Sequence, residues 1–284
     1  MSAKRIISVW YECKGEVMSD SLSVTGISKY LRHKDAFSIC VLESVTSTNT
    51  VLRGRAVNGA SEGCVIAADE QTEGKGRLGR TFHSAAGSGV YFSLLLRPKY
   101  KIHDAALITS AAAVAAACAI SDIFGVKAGI KWVNDLLIAG KKVCGILTEA
   151  SFRAERGEVE SAVLGIGINI AAPDGGFPEE IAGIAGAITD MLGAGSKERC
   201  ALIASVLDLF WEYYLELPKR SFLCDYRALS VVTGKDIFVI SSGEKKPARA
   251  LRIDDDCGLV VRYANGDIST LHSGEISVRV RDRE

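Results

Sequence analysis

Gly74-Lys75-Gly76-Arg77-Leu78-Gly79-Arg80 interleaves three glycines with three cations. An apolar run from Cys64 to Ala68 precedes it. A second run, Val90 to Leu96, follows and stops at Arg97-Pro98. The glycine spacing satisfies G-x-G-x-x-G, and a dinucleotide-binding fingerprint of that form should open a helix after a strand. Here the glycines lead instead into Thr81 to Gly89, a turn-rich stretch. The order is therefore strand, long loop, strand, which argues against a doubly wound parallel sheet. A protein-kinase glycine loop also joins two strands, but no H-R-D, D-F-G or V-A-I-K partner follows, so that reading fails. Glycines let a backbone approach a ligand closely. Lys75, Arg77 and Arg80 supply charge-assisted donors for phosphate or carboxylate. Loops of this length are usually functional. This one reads as a cover for an anionic, nucleotide-like ligand.

Working outward, the upstream chain gives a strand from Phe37 to Leu42, a capping cluster at Thr46-Ser47-Thr48-Asn49 and a helix into Asn58-Gly59. Ile27 to Arg32 reads as a short helix. Downstream, Asp104 to Phe124 is the clearest helix, rich in small residues and fit to lie flat on a sheet, and Gly125 ends it. Ala128 to Trp132 and Leu136 to Ile138 are short strands. Val143 to Ala150 returns after the turn at Ala139-Gly140-Lys141-Lys142. Val159 to Ile170 is a further apolar strand broken by Gly165 and Gly167, and Lys197 to Glu216 is a helix. From Val231 onward, strand-length segments alternate with turns, which predicts a small all-β barrel.

Composition narrows the function classes. The 284 residues carry no formal net charge, so nothing drives non-specific attraction to nucleic acid or anionic lipid. Met1 to Gly15 has no apolar core of signal-peptide length, and the alanine-rich run Ala105 to Ile120 is too short to span a bilayer. The eight cysteines are scattered with no C-x-x-C, and several sit inside apolar runs. Reduced thiols in a cytoplasmic protein are expected rather than disulfides. The four histidines show no metal-ligand spacing.

Four ordered motifs carry a family resemblance over about Ile39 to Val280. These are Ser47-Thr48-Asn49; Gln71 through Arg80; Lys131-Trp132-Val133-Asn134-Asp135 with Lys142 and Gly145-Ile146-Leu147; and Gly165-Ile166-Gly167-Ile168-Asn169. The chain resembles the biotin protein ligases. The resemblance implies an α+β fold in three parts: a short extension (1–35), a catalytic mixed sheet with packed helices (36–229) and an SH3-like β-barrel (230–284). It implies that biotin and ATP, with Mg2+, form biotinyl-5′-AMP, which then acylates a lysine on a biotin carboxyl carrier domain.

Biotin would meet Ser47, Thr48, Asn49, Gln71, Gly74, Lys75, Arg77, Lys142 and Gly145. The adenylate would meet Arg77, Arg80, Phe82, Lys131, Asn134, Gly165, Gly167 and Asn169. Lys142 and Arg77 would be catalytic. The metal ligands stay open, with Asp135 as a candidate.

This sequence departs from the family pattern at Lys75, Phe82 and Val133, where the family has arginine, tryptophan and proline. About 35 residues before the catalytic part are too few for a winged helix-turn-helix, so no DNA partner is expected. A homodimer through a sheet edge stays open. Two rival readings share parts of the pattern: a lipoate–protein ligase and a non-catalytic biotin-binding regulator.

Overall fold

A computed structural model describes residues 22–98, 105–153, 158–189, 195–241 and 244–278. Residues 1–21 of the expected extension, with Cys13, and the position His103 lie outside the described residues.

The main body is a seven-stranded sheet in the order β1-β2-β3-β7-β6-β5-β4. Its strands are β1 (Ser38–Val45), β2 (Cys64–Gln71), β3 (Gly89–Leu96), β4 (Gly129–Lys131), β5 (Asp135–Ile138), β6 (Lys141–Arg153) and β7 (Glu158–Asn169). Only β1 and β2 run parallel; the remaining pairs are antiparallel. The sheet is mixed, as the strand–loop–strand reading requires. The outer side of β4 is covered by residues 229–231, through Ile130 N to Leu229 O at 2.7 Å and Val231 N to Ile130 O at 3.0 Å. β1 closes the opposite end of the strand order.

Side chains alternate across a pleated strand, and here the alternation sorts core from site. On β3, Val90, Phe92, Leu94 and Leu96 enter the large core, while Leu95 joins the smaller cluster on the other face. On β2, Val65 and Ala67 go one way, and Cys64, Ile66 and Ala68 the other. The large core is closed by α3 (Ala105–Phe124), α5 (Ser196–Leu215) and α1 (Val24–Tyr30). Each fully buried Leu, Ile or Phe there contributes roughly 1.5–3 kcal/mol of transfer free energy.

Stretch 22–31, counted with the extension in the sequence reading, places Leu22, Ile27 and Leu31 in this core. α3 runs four residues past Ile120 and is long and apolar enough to cross a membrane, with mean hydropathy 1.9 over Leu107–Phe124. Yet 72% of that stretch is buried inside the protein, as befits a core helix. α2 (Thr48–Val57) covers the opposite face with Leu52.

Two short helices, α4 (Glu179–Ala182) and α6 (Leu223–Ala228), have no counterpart in the sequence reading. The C-terminal part is an antiparallel five-stranded sheet, β11-β10-β9-β8-β12, matching a small barrel. Its strands are β8 (Asp236–Ser241), β9 (Glu244–Ile253), β10 (Leu259–Tyr263), β11 (Ile268–Leu271) and β12 (Glu275–Val278). Val232, Ile237, Ala250, Val261 and Ile276 belong to the same hydrophobic cluster as the main sheet. The two parts therefore share one core. Trp132 reinforces the joint by donating its indole N–H to Cys257 O at 2.9 Å. Among the described residues all the cysteines are free thiols.

Candidate functional site

The strand register lines up the site. Gly167 on β7 lies opposite Gly145 on β6 and Tyr91 on β3; Gly165 lies opposite Leu147 and Ser93. Gly145, Gly165 and Gly167, with Ser93 beside them, thus cut a trough between strands that elsewhere carry Val, Leu and Ile. α2 begins beside it. Ser47 is the N-cap residue but makes no side-chain capping bond, so its buried hydroxyl serves the pocket instead. The pocket is an open space of about 300 Å³ lined by Ser47, Thr48, Asn49, Gln71, Lys75, Phe82, Gly145, Leu147, Gly165, Ile166 and Gly167.

One end is neutral and tightly bonded. Gln71 Oε1 accepts the Thr48 N–H at 2.9 Å and lies 3.1 Å from Thr48 Oγ1. Gln71 Nε2 donates to Ser84 Oγ at 2.9 Å. Ser93 Oγ lies 2.7 Å from Thr48 Oγ1 and 2.6 Å from Asn49 Oδ1. Asn49 Nδ2 donates to Glu149 Oε2 at 2.8 Å. Neither Ser93 nor Glu149 features in the sequence reading. Ser93 is the polar residue inside an otherwise apolar strand, and that was the available signal; Glu149 follows Thr148 in a strand of mixed character, which offered none.

The other end is cationic and belongs to the glycine loop. The loop is an ordered hairpin rather than an irregular turn: Phe82 N donates to Gly74 O at 2.8 Å and Gly76 N to Arg80 O at 2.7 Å. A Cβ at Gly74 would lie 2.3 Å from Phe82 O, which is why the closest approach of the two arms falls on a glycine. Leu78, at the tip, holds φ 56 and is exposed. Phe82 swings back into the trough. A Cβ at Gly167 would meet its ring at 2.6 Å, and one at Gly145 at 3.1 Å. The ring rests edge-on to Tyr91, with centroids 6.4 Å apart. Burial pushes the Tyr91 phenol up to about 12, so it stays a neutral donor, to Ala85 O at 3.0 Å.

The loop arginines reach across to other parts of the chain. Arg77 Nη1 donates to Asn134 Oδ1 at 3.0 Å and Nη2 to Gly274 O at 3.1 Å. Arg80 pairs with Glu275 at 2.6 Å. The loop is thereby docked on the β11–β12 turn of the C-terminal sheet. Asn134 holds this arrangement by donating Nδ2 to Ile146 O at 2.9 Å, and its segment is pinned by Tyr226, whose hydroxyl donates to Val133 O at 3.0 Å.

Lys142 Nζ sits 2.7 Å from Asp135 Oδ1 and 5.9 Å from the Phe82 ring centre. The lysine contact is not aligned as a hydrogen bond, and Asp135 Oδ1 is buried without a hydrogen-bond partner. Behind it, burial pushes the Cys144 thiol up, which keeps it protonated and inert as a nucleophile.

Of the expected site residues, Gly74, Arg77, Arg80, Lys131, Asn134, Lys142 and Asn169 do not line this pocket. Lys131 lies outside the pocket lining, on β4. Asn169 donates to Gly186 O at 3.1 Å and ties down the segment after α4. Lys141 caps that short helix through Ala182 O and Gly183 O. Gly165 makes room for Asn49, since a Cβ there would lie 2.1 Å from Asn49 Oδ1.

Residues 41–169 match the model of the biotin/lipoate A/B protein ligase family. A bifunctional ligase/repressor BirA of Bacillus subtilis is 35% identical over 240 residues, covering 82% of this chain and 72% of that protein. The chain belongs to this ligase family. A biotin–[acetyl-CoA-carboxylase] ligase of Mycobacterium tuberculosis is 27% identical over 243 residues, 83% of this chain and 87% of that one. The biotin protein ligase from Aquifex aeolicus, solved in complex with biotin and ATP, matches with a TM-score of 0.70 at 28% identity, covering 85% and 98% of the two chains. Within the family the chain groups with the biotin protein ligases, in line with the four motifs.

Proposed function

We propose that the chain is an ATP-dependent ligase that activates biotin as biotinyl-5′-AMP and transfers it to a lysine of a biotin carboxyl carrier domain. One observation supports this reading: a single pocket joins a neutral hydrogen-bonding end, Thr48 and Gln71, to the loop cation Lys75 and the Phe82 ring, and Lys142 Nζ lies 5.9 Å from the centre of that ring. A cyclic urea needs paired neutral hydrogen bonds, and a carboxylate meeting a triphosphate needs positive charge held in place.

In the first step a biotin carboxylate oxygen attacks the α-phosphorus. The bond to the β-phosphate bridging oxygen breaks and pyrophosphate leaves with its electron pair. Lys142, Lys75 and Arg77 offset the charge that two anions bring together. Phe82 and the loop shut water away from the mixed anhydride. In the second step a neutral lysine amine attacks the acyl carbon, AMP leaves, and the amide nitrogen gives up a proton.

Magnesium fits this site in company with the nucleotide. Among the described residues no three His, Cys, Asp or Glu side chains group to hold a metal, whereas Asp135 offers a buried carboxylate oxygen beside Lys142. Magnesium commonly takes one or two protein carboxylates and completes its shell with phosphates and water. When bound it would screen the phosphate charge.

Incubation with ATP, magnesium and a carrier domain, with either biotin or lipoate, tests the proposal by intact mass. A carrier heavier by one biotinyl group supports it. Lipoylation would favour the lipoate ligase reading, and biotin binding without pyrophosphate release would favour a regulator.

A further inference from the structure

We infer that Arg199, a buried arginine of α5, staples the two roots of the lid loop 74–84 and so sets how that loop closes over the pocket. The inference rests on the ligase reading above and names a positioning residue, one that touches no substrate itself.

The sheet has a gap where the loop leaves it. β2 and β3 pair from Val65 with Leu94 to Ala68 with Tyr91, and there the ladder stops. Pairing resumes at Gln71 and Ser84, at the foot of the loop. Between these points Asp69 and Glu70 face residues 85–90, so the two arms are out of step. Each arm then follows a different neighbour. On the entry arm, Thr72 N donates to Val45 O at 2.9 Å and Glu73 N to Thr46 O at 2.8 Å, which ties it to the end of β1. On the exit arm, Ser88 O accepts from Ile170 N at 3.0 Å and from Ala171 N at 2.9 Å, which ties it to the end of β7. A hairpin whose arms belong to different neighbours can splay at its root.

Arg199 crosses that gap. Side chains alternate along β2, so Asp69 shares a face with Val65 and Ala67, the face that α5 covers. Arg199 Nη2 donates to Asp69 on the entry arm, and Nε donates to Gly89 O on the exit arm at 2.9 Å. A guanidinium presents its donors in a fixed fork, so two bonds from one head set both the spacing and the angle of the arms. Well-packed apolar residues often replace a buried ion pair without loss of stability, so packing alone gives no reason for a charge here.

The exit arm carries the consequence to the site. Tyr91, just past Gly89, donates its hydroxyl to Ala85 O at 3.0 Å, and its ring meets Phe82 edge-on with centroids 6.4 Å apart. Phe82 lines the pocket. Where Arg199 holds the Gly89 carbonyl therefore decides where the covering ring comes to rest.

Three variants test this. Arg199→Met keeps the length and the apolar stem but removes the fork. Arg199→Lys keeps a charge beside Asp69 and loses the second bond. Asp69→Asn weakens the entry side alone. Amide hydrogen exchange is read without ligand, and escape of biotinyl-5′-AMP is read during turnover with biotin, ATP and magnesium. Arg199→Met should speed exchange at Gly76 and Phe82 by about tenfold and leave the Thr48 amide within about threefold of wild type. Adenylate escape should rise by about tenfold, while biotin affinity, read by calorimetry, stays within about threefold. Arg199→Lys should fall between wild type and Arg199→Met. Adding Asp69→Asn to Arg199→Met should raise escape no further, because both break one staple. Should Arg199→Met fail to fold, Asp69→Asn, at a side chain 31% exposed, carries the same two readouts with changes of about threefold.

Unchanged lid exchange or unchanged escape overturns the inference. So does equal acceleration at Thr48 and in the lid, which would mark general loosening, and so does additivity of the two substitutions. A wild type that forms no biotinyl-5′-AMP would defeat the ligase reading, and lid exchange would still judge the staple by itself.

Discussion

The floor and the lid of the pocket are built on opposite plans. The floor is formed by Thr48, Asn49, Gln71 and Ser93 at the joints of β1, α2, β2 and β3. Thr48, Asn49 and Ser93 are buried, and each polar group is tied to the next. The lid, residues 74–84, carries cations. Its arginine side chains reach outward, Arg77 to Asn134 and Gly274 and Arg80 to Glu275. A floor of that kind keeps its geometry with or without ligand. A lid of that kind can trade its protein partners for ligand oxygens at small cost. In the proposed function the floor recognises the neutral ring and the lid manages charge.

The comparison breaks most visibly at Lys142, the cation held beside Asp135 and the Phe82 ring of the lid. Lys142→Ala should lower kcat for pyrophosphate release by about 10²- to 10³-fold while biotin binding moves within about threefold. Equal losses in both would give the lysine a positioning role instead.

The glycines sharpen the contrast. Gly165→Ala drives a methyl group into the floor at Asn49 and should cost about 1–3 kcal/mol of stability, read as a lowered melting temperature, with biotin affinity falling too. Gly167→Ala pushes on the Phe82 ring, which can lift with the lid. Its stability cost should be the smaller of the two, and leakage of adenylate into solution should rise. Identical behaviour of the two variants in both assays would erase the distinction.

Next in size is Arg77→Gly. It should let biotinyl-5′-AMP escape about tenfold faster and label stray lysines, measurable by mass spectrometry of a bystander protein. Unaltered release would show that Arg77 does not retain the adenylate. The smallest effect belongs to Arg80→Ala. The Arg80 side chain is 64% exposed in its pair with Glu275, so the loss should stay below about 1 kcal/mol and fade with added salt.

Much of this was legible in the amino-acid order. Continuous apolar runs bounded by turns marked β2, β3 and β7 as strands, and the turn-rich stretch after Arg80 argued against a Rossmann unit. α4 and α6 were not legible because four and six residues are too few to show a helical period. The site residues Ser47, Thr48, Gln71, Lys75, Phe82 and Gly145 could be read from motifs. Ser93 and Glu149 were hidden, since burial on one face of a strand depends on neighbours that only the fold supplies. The docking of Arg77 on Gly274 joins residues 197 apart in the chain, and no local pattern encodes it. Gly165 and Asn169 show the converse. Their motif was visible, but what each glycine or amide touches was settled by packing.

Backbone hydrogen exchange followed residue by residue, with and without biotin and a non-hydrolysable ATP analogue, tests the central division most directly. The account predicts that the Thr48 amide of the floor is protected from the start, while the hairpin amides of Gly76 and Phe82 exchange through opening of the lid and become strongly protected only when both ligands are present. A lid as protected as the floor before any ligand is added, or one whose exchange ignores both ligands, would contradict it.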